Sequence, residues 1–357
     1  MDQNIIDQAQ SVRSGENINT PGFLSFINEK LYNHKGEIEI LQFPGGYSNL
    51  TYLIKKGEAE FVLRKPPRGA NIKSAHDMGR EFKVLNLLKP IYNKIPEPLF
   101  IYDNEDLLGA PFYVMERVKG LILRNQIPKG LKLNSESFRQ LSINTIENLA
   151  QLHNLNIETT GLKALGKPEG YIIRQVEGWV KRYFNAETDQ IPAMNETADW
   201  MKNNIPDEVA PALIHNDYKY DNLVLDPESL EIKALLDWEM ATVGDPLMDL
   251  GTSLGYWAEP DDHPALKAFG LTHIEGNLTR QEVVELYGKK SGRNIDKFVF
   301  YYVFGSFKIA VIAQQIYARF KKGLTKDPRF ANLIFVTRAC ADNAANAIKY
   351  NRINNFK

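Results

Sequence analysis

The spacing of apolar residues changes near residue 118, and this change restricts the chain to a fold with two unlike parts. Before it, short β-rich runs are separated by glycine-containing turns, and a leading helix is expected at about 20–33. After it, apolar residues recur at helical spacing, interrupted by a strand-rich island at 212–236. We therefore predict an α+β fold in which residues 1–118 form a small, mainly sheet lobe and residues 119–357 form a larger, mainly helical lobe.

Composition and charge exclude several classes of protein. With 357 residues, of which 43% are hydrophobic and 24% charged, the chain can bury a sizeable core in about two domains. Its one cysteine, Cys340, cannot form an internal disulfide. Because 43 basic residues face 44 acidic ones, no global positive field favours nucleic acid or an anionic membrane, and we expect neither as a partner.

The N-terminal sequence and the most apolar run bear on localisation. The first residues, MDQNIIDQAQ, lack the basic and apolar segments of a signal peptide. The most apolar stretch, residues 298–312, contains Lys308 and is too short to span a bilayer, so a buried helix explains it better. These features lead us to expect a cytoplasmic protein without a membrane segment.

The strongest functional signal is the segment LIHNDYKYDNLV, which contains His215 and Asp217 and places Asn222 five residues after that aspartate. A second apolar run then ends at Asp237. If the two apolar runs are packed strands, Asp217, Asn222 and Asp237 point at one region. Asn222 and Asp237 offer the hard oxygen ligands that Mg²⁺ prefers. Asp217 could accept or orient the proton of a hydroxyl group during phosphoryl transfer.

Each of these residues also has an ordinary structural explanation. Asp and Asn favour loops, and a single His-x-Asp occurs often by chance. The combined pattern, with Asn five residues after the Asp and an apolar strand that ends in Asp, is hard to explain by turns alone. A competing motif is weaker, because the segment GTSLG at 251–255 does not match the Gly-x-Ser-x-Gly elbow of hydrolases.

These motifs resemble those of the aminoglycoside phosphotransferase family, which are small-molecule kinases with a protein-kinase-like fold. The resemblance rests on LIHNDYKYDNLVLD, ALLDWEMATVGDPLMDLG, FPGGYSNLTYLI, FVLRKPP and REFKVL, and covers nearly the whole chain from about residue 25. The segments SAHDMGREFKVL and SFKIAVIAQQIYARFKKG are most similar to the branch whose kinase domains are joined to acyl-CoA dehydrogenases. The resemblance implies two lobes, the first with a small antiparallel sheet, and the cofactors ATP and Mg²⁺. It also implies a small-molecule hydroxyl substrate and a functional link to an acyl-CoA dehydrogenase.

The resemblance assigns roles to the residues of the catalytic segment. Asp217 corresponds to the catalytic base or hydroxyl-orienting residue, and Asn222 and Asp237 correspond to the Mg²⁺ ligands. His215 is expected to hold the conformation of the loop. Asp245, in a Gly-Asp-Pro sequence, is expected to brace the catalytic loop from behind, although capping of the following helix would also explain it.

The first lobe is expected to hold the nucleotide. In the turn between its first two strands, backbone amides could lie against phosphates, although a plain hairpin turn is an equal explanation. The residues concerned are Gly45, Gly46, Ser48 and Asn49. The resemblance further implies that Glu116 and Val118 contact adenine through the main chain and that Met115 lines the adenine pocket. Without the resemblance, residues 115–118 are more simply explained as the end of a half-buried strand.

Arg64 occupies the strand position at which related kinases carry a phosphate-contacting lysine. An arginine there stays charged and can contact phosphate through two N–H groups. Lys65 would point to the opposite face of the strand and is the second choice. Glu81, on a helix predicted at about 74–88, is the expected partner of Arg64. The alternative is a solvated pair worth at most about 1 kcal/mol.

Together these features predict an ATP-dependent phosphotransferase that acts on a hydroxyl group, with a hydroxyacyl-CoA as the preferred acceptor. An acceptor pocket is expected to include Tyr218, Asp221, Tyr256 and Trp257. Two alternatives stay open. One is a kinase for an aminoglycoside or a choline-like amino alcohol, for which the acids of WAEPDD at 257–262 could bind a cation. The other is a catalytically silent, kinase-like nucleotide-binding protein, favoured only by the arginine at the lysine position.

Overall fold

The chain separates into two units. The computed structural model describes residues 6–44, 49–67, 77–325 and 327–356. The first unit, called the sheet unit here, comprises Met1–Ile122, Val224–Glu228 and Lys233–Ala241. The second, called the helical unit, comprises Leu123–Leu223, Ser229–Ile232 and Thr242–Lys357. Asp237 therefore belongs to the sheet unit, whereas Asp217 and Asn222 belong to the helical unit. The roles predicted for two lobes divided at residue 118 remain predictions.

A five-stranded antiparallel sheet is the centre of the sheet unit. Its strand order is β1-β2-β3-β5-β4. The strands are β1 (Ile38–Gln42), β2 (Leu50–Lys56), β3 (Ala59–Lys65), β4 (Pro98–Tyr102) and β5 (Phe112–Glu116). Side chains alternate between the two faces, so Phe61 and Leu63 of β3 join an apolar core and Arg64 lies on the other face.

Two helices belong to this unit. Helix α1 (Pro21–Lys30) begins after Thr20, whose side chain caps it by accepting a hydrogen bond from the N–H of Phe23. Its buried side chains, Phe23 and Ile27, belong to the same apolar core as Phe61 and Leu63 of the sheet. Helix α2 (Met78–Leu88) is capped by Asp77 and buries Glu81 in its first turn.

The helical unit contains most of the helices. They are α3 (Ser135–His153), α4 (Tyr171–Ala186), α5 (Pro192–Asn203), α6 (Pro246–Tyr256), α7 (Pro264–Lys267), α8 (Arg280–Ser291), α9 (Phe298–Lys321) and α10 (Leu333–Tyr350). Two short two-stranded sheets accompany them. One pairs β6 (Ala212–Ile214) with β9 (Thr242–Gly244), and the other pairs β7 (Leu223–Leu225) with β8 (Ile232–Leu235). Most residues of the second of these sheets belong to the sheet unit.

Helices α6 and α9 pack backbone against backbone. A Cβ atom added to Gly251 would lie 2.1 Å from the carbonyl oxygen of Tyr301, and one added to Gly305 would lie 1.8 Å from the carbonyl oxygen of Gly251. Only glycine permits such an approach. The GTSLG segment is therefore a helix-packing surface.

Helix α9 is the one helix in the described residues that is long and apolar enough to cross a membrane. However, 78% of its most apolar window is buried inside the protein. That burial is typical of a core helix, which is what the sequence predicted for residues 298–312.

The structure differs from the prediction mainly between residues 237 and 267. Strand β9 and helices α6 and α7 occupy this segment, and no local pattern indicated them. Every residue of α6 from Pro246 to Leu254 is buried, so its apolar residues show no helical period. A 3₁₀ turn at Pro328–Asn332 precedes α10.

Candidate active site

In the sheet unit, Arg64 is the centre of a buried ionic cluster. Its Nη1 atom lies 2.6 Å from Oε1 of Glu81, and its Nη2 atom lies 2.9 Å from Oδ1 of Asp237. The side chains of Arg64 and Glu81 are only 8% and 1% exposed. The predicted Arg64–Glu81 pair is therefore present, and it is not the solvated pair considered as the alternative.

Backbone and side-chain contacts extend this cluster. The backbone N–H of Trp238 donates to Oε1 of Glu81 at 3.1 Å. Oε2 of Glu239 lies 3.8 Å from Arg64 and accepts a hydrogen bond from Nδ2 of Asn49 at 2.7 Å. Sequence reasoning missed Glu239, although it stands two residues after Asp237 in the DWE motif. Of the four residues predicted in the turn, Gly45, Gly46 and Ser48 lie outside the described residues.

Electrostatics favour a permanently charged Arg64. Burial alone would lower its pKa, but Glu81, Asp237 and Glu239 raise it well above the ordinary value. Burial raises the pKa of Glu81, because loss of water outweighs the attraction of Arg64. Three carboxyl groups thus surround one guanidinium, and when ionised they carry an excess of negative charge.

Two buried polar atoms of this cluster make no hydrogen bond to a described residue. They are Nε of Arg64 and Oε2 of Glu81. A buried N–H donor without a partner is unfavourable unless a ligand supplies an acceptor. The Nε–H of Arg64 therefore fits contact with a phosphate oxygen.

Lys65 lies apart from this cluster. Its Nζ atom donates to the carbonyl oxygen of Leu108 at 3.0 Å, and the residue is 3% exposed. The alternation of side chains along β3 explains why Lys65 and Arg64 reach different surroundings. These contacts favour Arg64 over Lys65 for the predicted phosphate contact.

The segment predicted to contact adenine lies at the end of β5. Met115 is buried, and Val118 is half-buried beyond the strand. The side chain of Glu116 is exposed, and its backbone N–H donates to the carbonyl oxygen of Glu97 at 2.8 Å. The N–H of Glu116 is thus used within the sheet, and the main-chain contacts of Glu116 and Val118 with a base stay predictions.

In the helical unit, the loop after β6 brings Asp217 and Asn222 together. Nδ2 of Asn222 donates to the carbonyl oxygen of Asp217 at 2.8 Å and to its Oδ2 at 3.0 Å. These bonds use the amide nitrogen of Asn222 and leave its amide oxygen as the atom that can bind a cation. Asp217 keeps 19% of its side chain exposed, so its carboxylate can be reached from solvent.

Lys219 is a member of this loop that sequence reasoning missed. Its Nζ atom lies 2.9 Å from Oδ2 of Asp217 and 3.9 Å from Oδ1 of Asp221, and 4.8 Å from the centre of the Tyr256 ring. Burial alone would lower the pKa of Lys219, but Tyr256, Asp217 and Asp221 raise it above the ordinary value. Lys219 therefore stays charged beside Asp217.

Asp249 holds the start of the loop that contains Asp217. Its Oδ2 and Oδ1 atoms accept hydrogen bonds from the backbone N–H groups of His215 and Asn216, both at 2.7 Å. His215 is fully buried, and its Nδ1 lies 3.3 Å from the backbone nitrogen of Asp217, which donates to it. The latter bond is consistent with the predicted role of His215 in shaping the loop.

Asp245 makes the contact that was considered as its alternative role. It caps α6 and accepts from the backbone N–H groups of Leu247 and Met248 at 2.7 and 3.2 Å. Burial raises the pKa of Asp245 to about 6. Sequence reasoning named Asp245 from the Gly-Asp-Pro motif and did not consider Asp249, which stands in an apolar run and reaches the loop only through the packing of α6.

A small cavity lies in the helical unit beside the loop that contains Asp217. All four residues predicted for the acceptor pocket line it, namely Tyr218, Asp221, Tyr256 and Trp257. Phe269 and Leu271 add apolar surface to its wall. Burial raises the pKa of Asp221 to about 6. The lining of the cavity is therefore mainly aromatic and aliphatic.

Two of the three acids in the segment 257–262, Glu259 and Asp262, face an internal arginine. Arg280 is 2% exposed at its side chain and pairs with Asp262, and its Nη1 lies 3.5 Å from Oε2 of Glu259. The backbone N–H of Arg280 also donates to Glu259 at 2.7 Å. These two acids thus neutralise an internal arginine, which no local pattern revealed.

The donor atoms fit Mg²⁺ chemically. Asp237 contributes a carboxylate in a cluster with excess negative charge, and Asn222 contributes an amide oxygen, and both are hard oxygen ligands. Within the described residues, no group of three or more His, Cys, Asp or Glu side chains forms a metal site by itself. Mg²⁺ in phosphoryl transfer usually binds one or two protein oxygens together with phosphate oxygens and water, and each of these two residues fits such a role by its chemistry.

Comparisons with known proteins agree with this geometry. A family model described as the phosphotransferase enzyme family matches residues 39–280. The chain is 34% identical to human acyl-CoA dehydrogenase family member 11 over 320 residues, which cover 87% of this chain and 41% of that protein. It is 35% identical to mouse acyl-CoA dehydrogenase family member 10 over 287 residues, which cover 80% of this chain and 27% of that protein. The chain thus spans less than half the length of these relatives.

Solved structures give the same architecture. A Ralstonia eutropha protein proposed to be an aminoglycoside phosphotransferase superimposes with a TM-score of 0.77 at 27% identity, covering 93% of this chain and 98% of that one. A choline kinase from Streptococcus pneumoniae superimposes with a TM-score of 0.55 at 16% identity, covering 91% and 99% of the two chains, and shows the fold alone. The predicted α+β, kinase-like fold is confirmed.

Proposed function

The chain belongs to the phosphotransferase enzyme family, and from this membership we propose that it transfers the γ-phosphate of MgATP to a hydroxyl group of a hydroxyacyl-CoA. The observation that carries the proposal is the loop in which Asp217 is held by Asn222 and Lys219 at the edge of an apolar cavity. The placement of a reactive carboxylate next to a cavity for the acceptor is what hydroxyl phosphorylation requires.

In this proposal Asp217 acts on the acceptor hydroxyl. The hydroxyl oxygen forms a bond to the γ-phosphorus, the bond from that phosphorus to the bridging oxygen of ADP breaks, and the hydroxyl proton passes to the carboxylate of Asp217. Lys219 and Asn222 fix the orientation of that carboxylate through the hydrogen bonds described above. A fixed carboxylate lowers the barrier because it needs no reorientation during the reaction.

On the nucleotide side, Arg64 is the proposed phosphate contact and Glu81 fixes its orientation. Asn222 and Asp237 are the proposed Mg²⁺ ligands, and the ion would neutralise phosphate charge when bound. The Nε–H of Arg64, which has no partner among the described residues, supports this assignment because it can donate to an anion.

The cavity supports an acyl acceptor over a cationic one. Its walls are largely aromatic and aliphatic, and the cation that lies on the Tyr256 ring is the protein's own Lys219. Glu259 and Asp262, which a cationic antibiotic or amino alcohol could have used, are paired with Arg280. Two relatives that are at least 34% identical carry the name acyl-CoA dehydrogenase, which supports a thioester acceptor and a functional link to such a dehydrogenase.

The proposal is tested with a panel of acceptors. The purified chain is incubated with Mg²⁺ and ATP labelled at the γ-phosphate, together with short- and long-chain hydroxyacyl-CoA, choline, ethanolamine or kanamycin. We expect label to enter hydroxyacyl-CoA. Label in kanamycin or choline alone would contradict the acyl acceptor, and absence of transfer to every compound would favour the silent, nucleotide-binding alternative.

A pair of variants tests whether the cavity holds the acceptor. Thr272 lines the cavity, whereas Glu275 is exposed in the same loop. The substitution Thr272→Trp should fill the cavity and raise the KM for the acceptor, with MgATP binding unchanged. Glu275→Trp is the matched control and should behave as the unsubstituted protein. Equal KM values for the two variants would place the acceptor elsewhere.

A further inference from the structure

A lysine is buried in the core of the helical unit, beneath the catalytic loop. Lys308 stands in the middle of α9 and is 2% exposed. Its Nζ atom lies 3.1 Å from the carbonyl oxygen of Asn216, 3.4 Å from the hydroxyl of Thr252 and 5.6 Å from the centre of the Trp179 ring. A buried ammonium group loses its hydration, so a lysine at such a site is unfavourable for stability unless its partners compensate.

The partner of Lys308 is the residue that precedes Asp217. Asn216 has a φ angle of 67°, in the left-handed region that few residues other than glycine, Asn and Asp adopt readily. The N–H of this residue donates to Asp249 of α6 at 2.7 Å, and its carbonyl oxygen accepts from Lys308 of α9 at 3.1 Å. Two buried, oppositely charged side chains therefore hold Asn216 from its two sides.

The packing of the two helices explains how both side chains reach one residue. Because Gly251 and Gly305 bring the backbones of α6 and α9 into contact, Asp249 and Lys308 extend to the same short loop. The carbonyl group of Asn216 belongs to the peptide bond that leads into Asp217. The orientation of this peptide group therefore sets the direction in which the side chain of Asp217 points.

We propose that Lys308 is a positioning residue that, together with Asp249, holds the backbone N–H and C=O groups of Asn216, the residue before Asp217, and so orients the catalytic carboxylate. The proposal rests on the proposed function of Asp217. The role is indirect, because Lys308 touches Asn216 and is not itself placed against a substrate. Removal of its charge should lower kcat and leave the KM for MgATP unchanged.

The charge of Lys308 should also make the reaction depend on pH. Burial lowers the pKa of Lys308 to about 8. The charged groups that act on it are Asp249 of α6, Asp217 and Lys219 of the loop, and Arg182 of α4. Above about pH 8 the ammonium loses its proton and no longer donates a charged hydrogen bond to Asn216, so kcat should fall on the alkaline side.

The test compares Lys308→Met with Lys321→Met. The second residue is exposed in the last turn of the same helix and is the matched control. With γ-labelled ATP and the acceptor that the panel identifies, or with water as acceptor in a phosphate-release assay, Lys308→Met should lower kcat by about 10- to 100-fold. The melting temperature is not the deciding measurement for this variant, because the carbonyl oxygen of Asn216 also loses its donor. A merely structural lysine would leave kcat unchanged.

Two further measurements keep the proposal testable if Lys308→Met does not fold. Lys308→Arg keeps its charge at high pH, so it should remove the alkaline fall in kcat that the unsubstituted protein shows. Hydrogen exchange of the amides at 215–217 in the unsubstituted protein, corrected for intrinsic rates, should lose protection as pH rises through about 8. Unchanged protection and an alkaline limb that persists in Lys308→Arg would overturn the proposal. If the unsubstituted protein did not bind MgATP, the proposed function would be overturned instead.

Discussion

At the scale of single residues, we expect the buried cation Arg64 to contribute strongly to the free energy of unfolding. It is bonded to Glu81 and Asp237 and lies near Glu239, and removal of its charge leaves these acids without their partner. We expect Arg64→Met to lower the free energy of unfolding by about 3–5 kcal/mol, measured by urea denaturation. Lys55→Met is the control, because Lys55 forms a more exposed pair with Glu39 in the same sheet, and it should cost less than about 1 kcal/mol. Similar losses for both variants would contradict the buried cluster.

The contribution of Asp245 to the stability of the folded state should depend on pH. Its pKa is raised from 3.8 to about 6 by burial, so the folded state holds the proton at pH values where the unfolded state has lost it. The contribution of Asp245 to stability therefore falls as pH rises from about 4 through 6. Asn caps helices as well as Asp does, so Asp245→Asn should be more stable than the unsubstituted protein at pH 7, by on the order of 1–3 kcal/mol. The difference should disappear near pH 4, and a less stable variant at pH 7 would show that the charge is needed.

Residue chemistry explains which site residues the sequence could reveal. Asp217 and Asn222 could be recognised because they stand at a fixed spacing in one loop. Arg64 and Glu81 could be recognised because they are oppositely charged residues on a strand and on the helix that follows it. Asp249, Arg280 and Lys308 are isolated charged residues within helices, and no motif surrounds them. Their importance follows from what α6, α8 and α9 bring near them, and that information is absent from any local window.

At the scale of elements, sequence patterns predicted helices that have one exposed face and a capping signal. Helix α8 is an example, because Thr279 and Glu282 form a capping box at its start and Gly292 adopts a left-handed conformation at its end. Helix α6 had no such signal, because it is buried along most of its length and begins at the Asp-Pro pair that was assigned to the loop.

The contact of α6 with α9 can be tested by adding one methyl group. A Cβ atom on Gly305 would meet the carbonyl oxygen of Gly251 at 1.8 Å, and backbone atoms cannot yield as a flexible side chain can. We expect Gly305→Ala to destabilise the protein by about 3 kcal/mol or more. Gly178→Ala is the control within α4, where the added methyl meets only the end of Arg182, and it should be neutral or stabilising by about 1 kcal/mol. Equal thermal stability of the two variants would show that α6 and α9 are not in backbone contact.

At the scale of the whole molecule, the sequence predicted a sheet-rich beginning and a helical remainder, and the kinase-like fold is confirmed. It did not predict that Val224–Glu228 and Lys233–Ala241 return to the sheet unit. These segments are short apolar strands and turns, and their partners lie far away in sequence. For example, the backbone N–H of Leu235 donates to the carbonyl oxygen of Lys94. Long-range pairing of this kind leaves no local signature.

The central claim is that the chain is a phosphotransferase whose reaction depends on Asp217, and one comparison tests it most directly. Transfer of γ-labelled phosphate from MgATP to hydroxyacyl-CoA is measured for the unsubstituted protein, for Asp217→Asn and for the control Asp199→Asn. Asp199 is 76% exposed at its side chain on α5. Binding of MgATP is measured in parallel by the rise in melting temperature.

We predict that Asp217→Asn lowers the transfer rate by about 10²- to 10⁴-fold while the MgATP-dependent rise in melting temperature is kept. Asp199→Asn should transfer phosphate as the unsubstituted protein does. Transfer by Asp217→Asn at the unsubstituted rate would contradict the account.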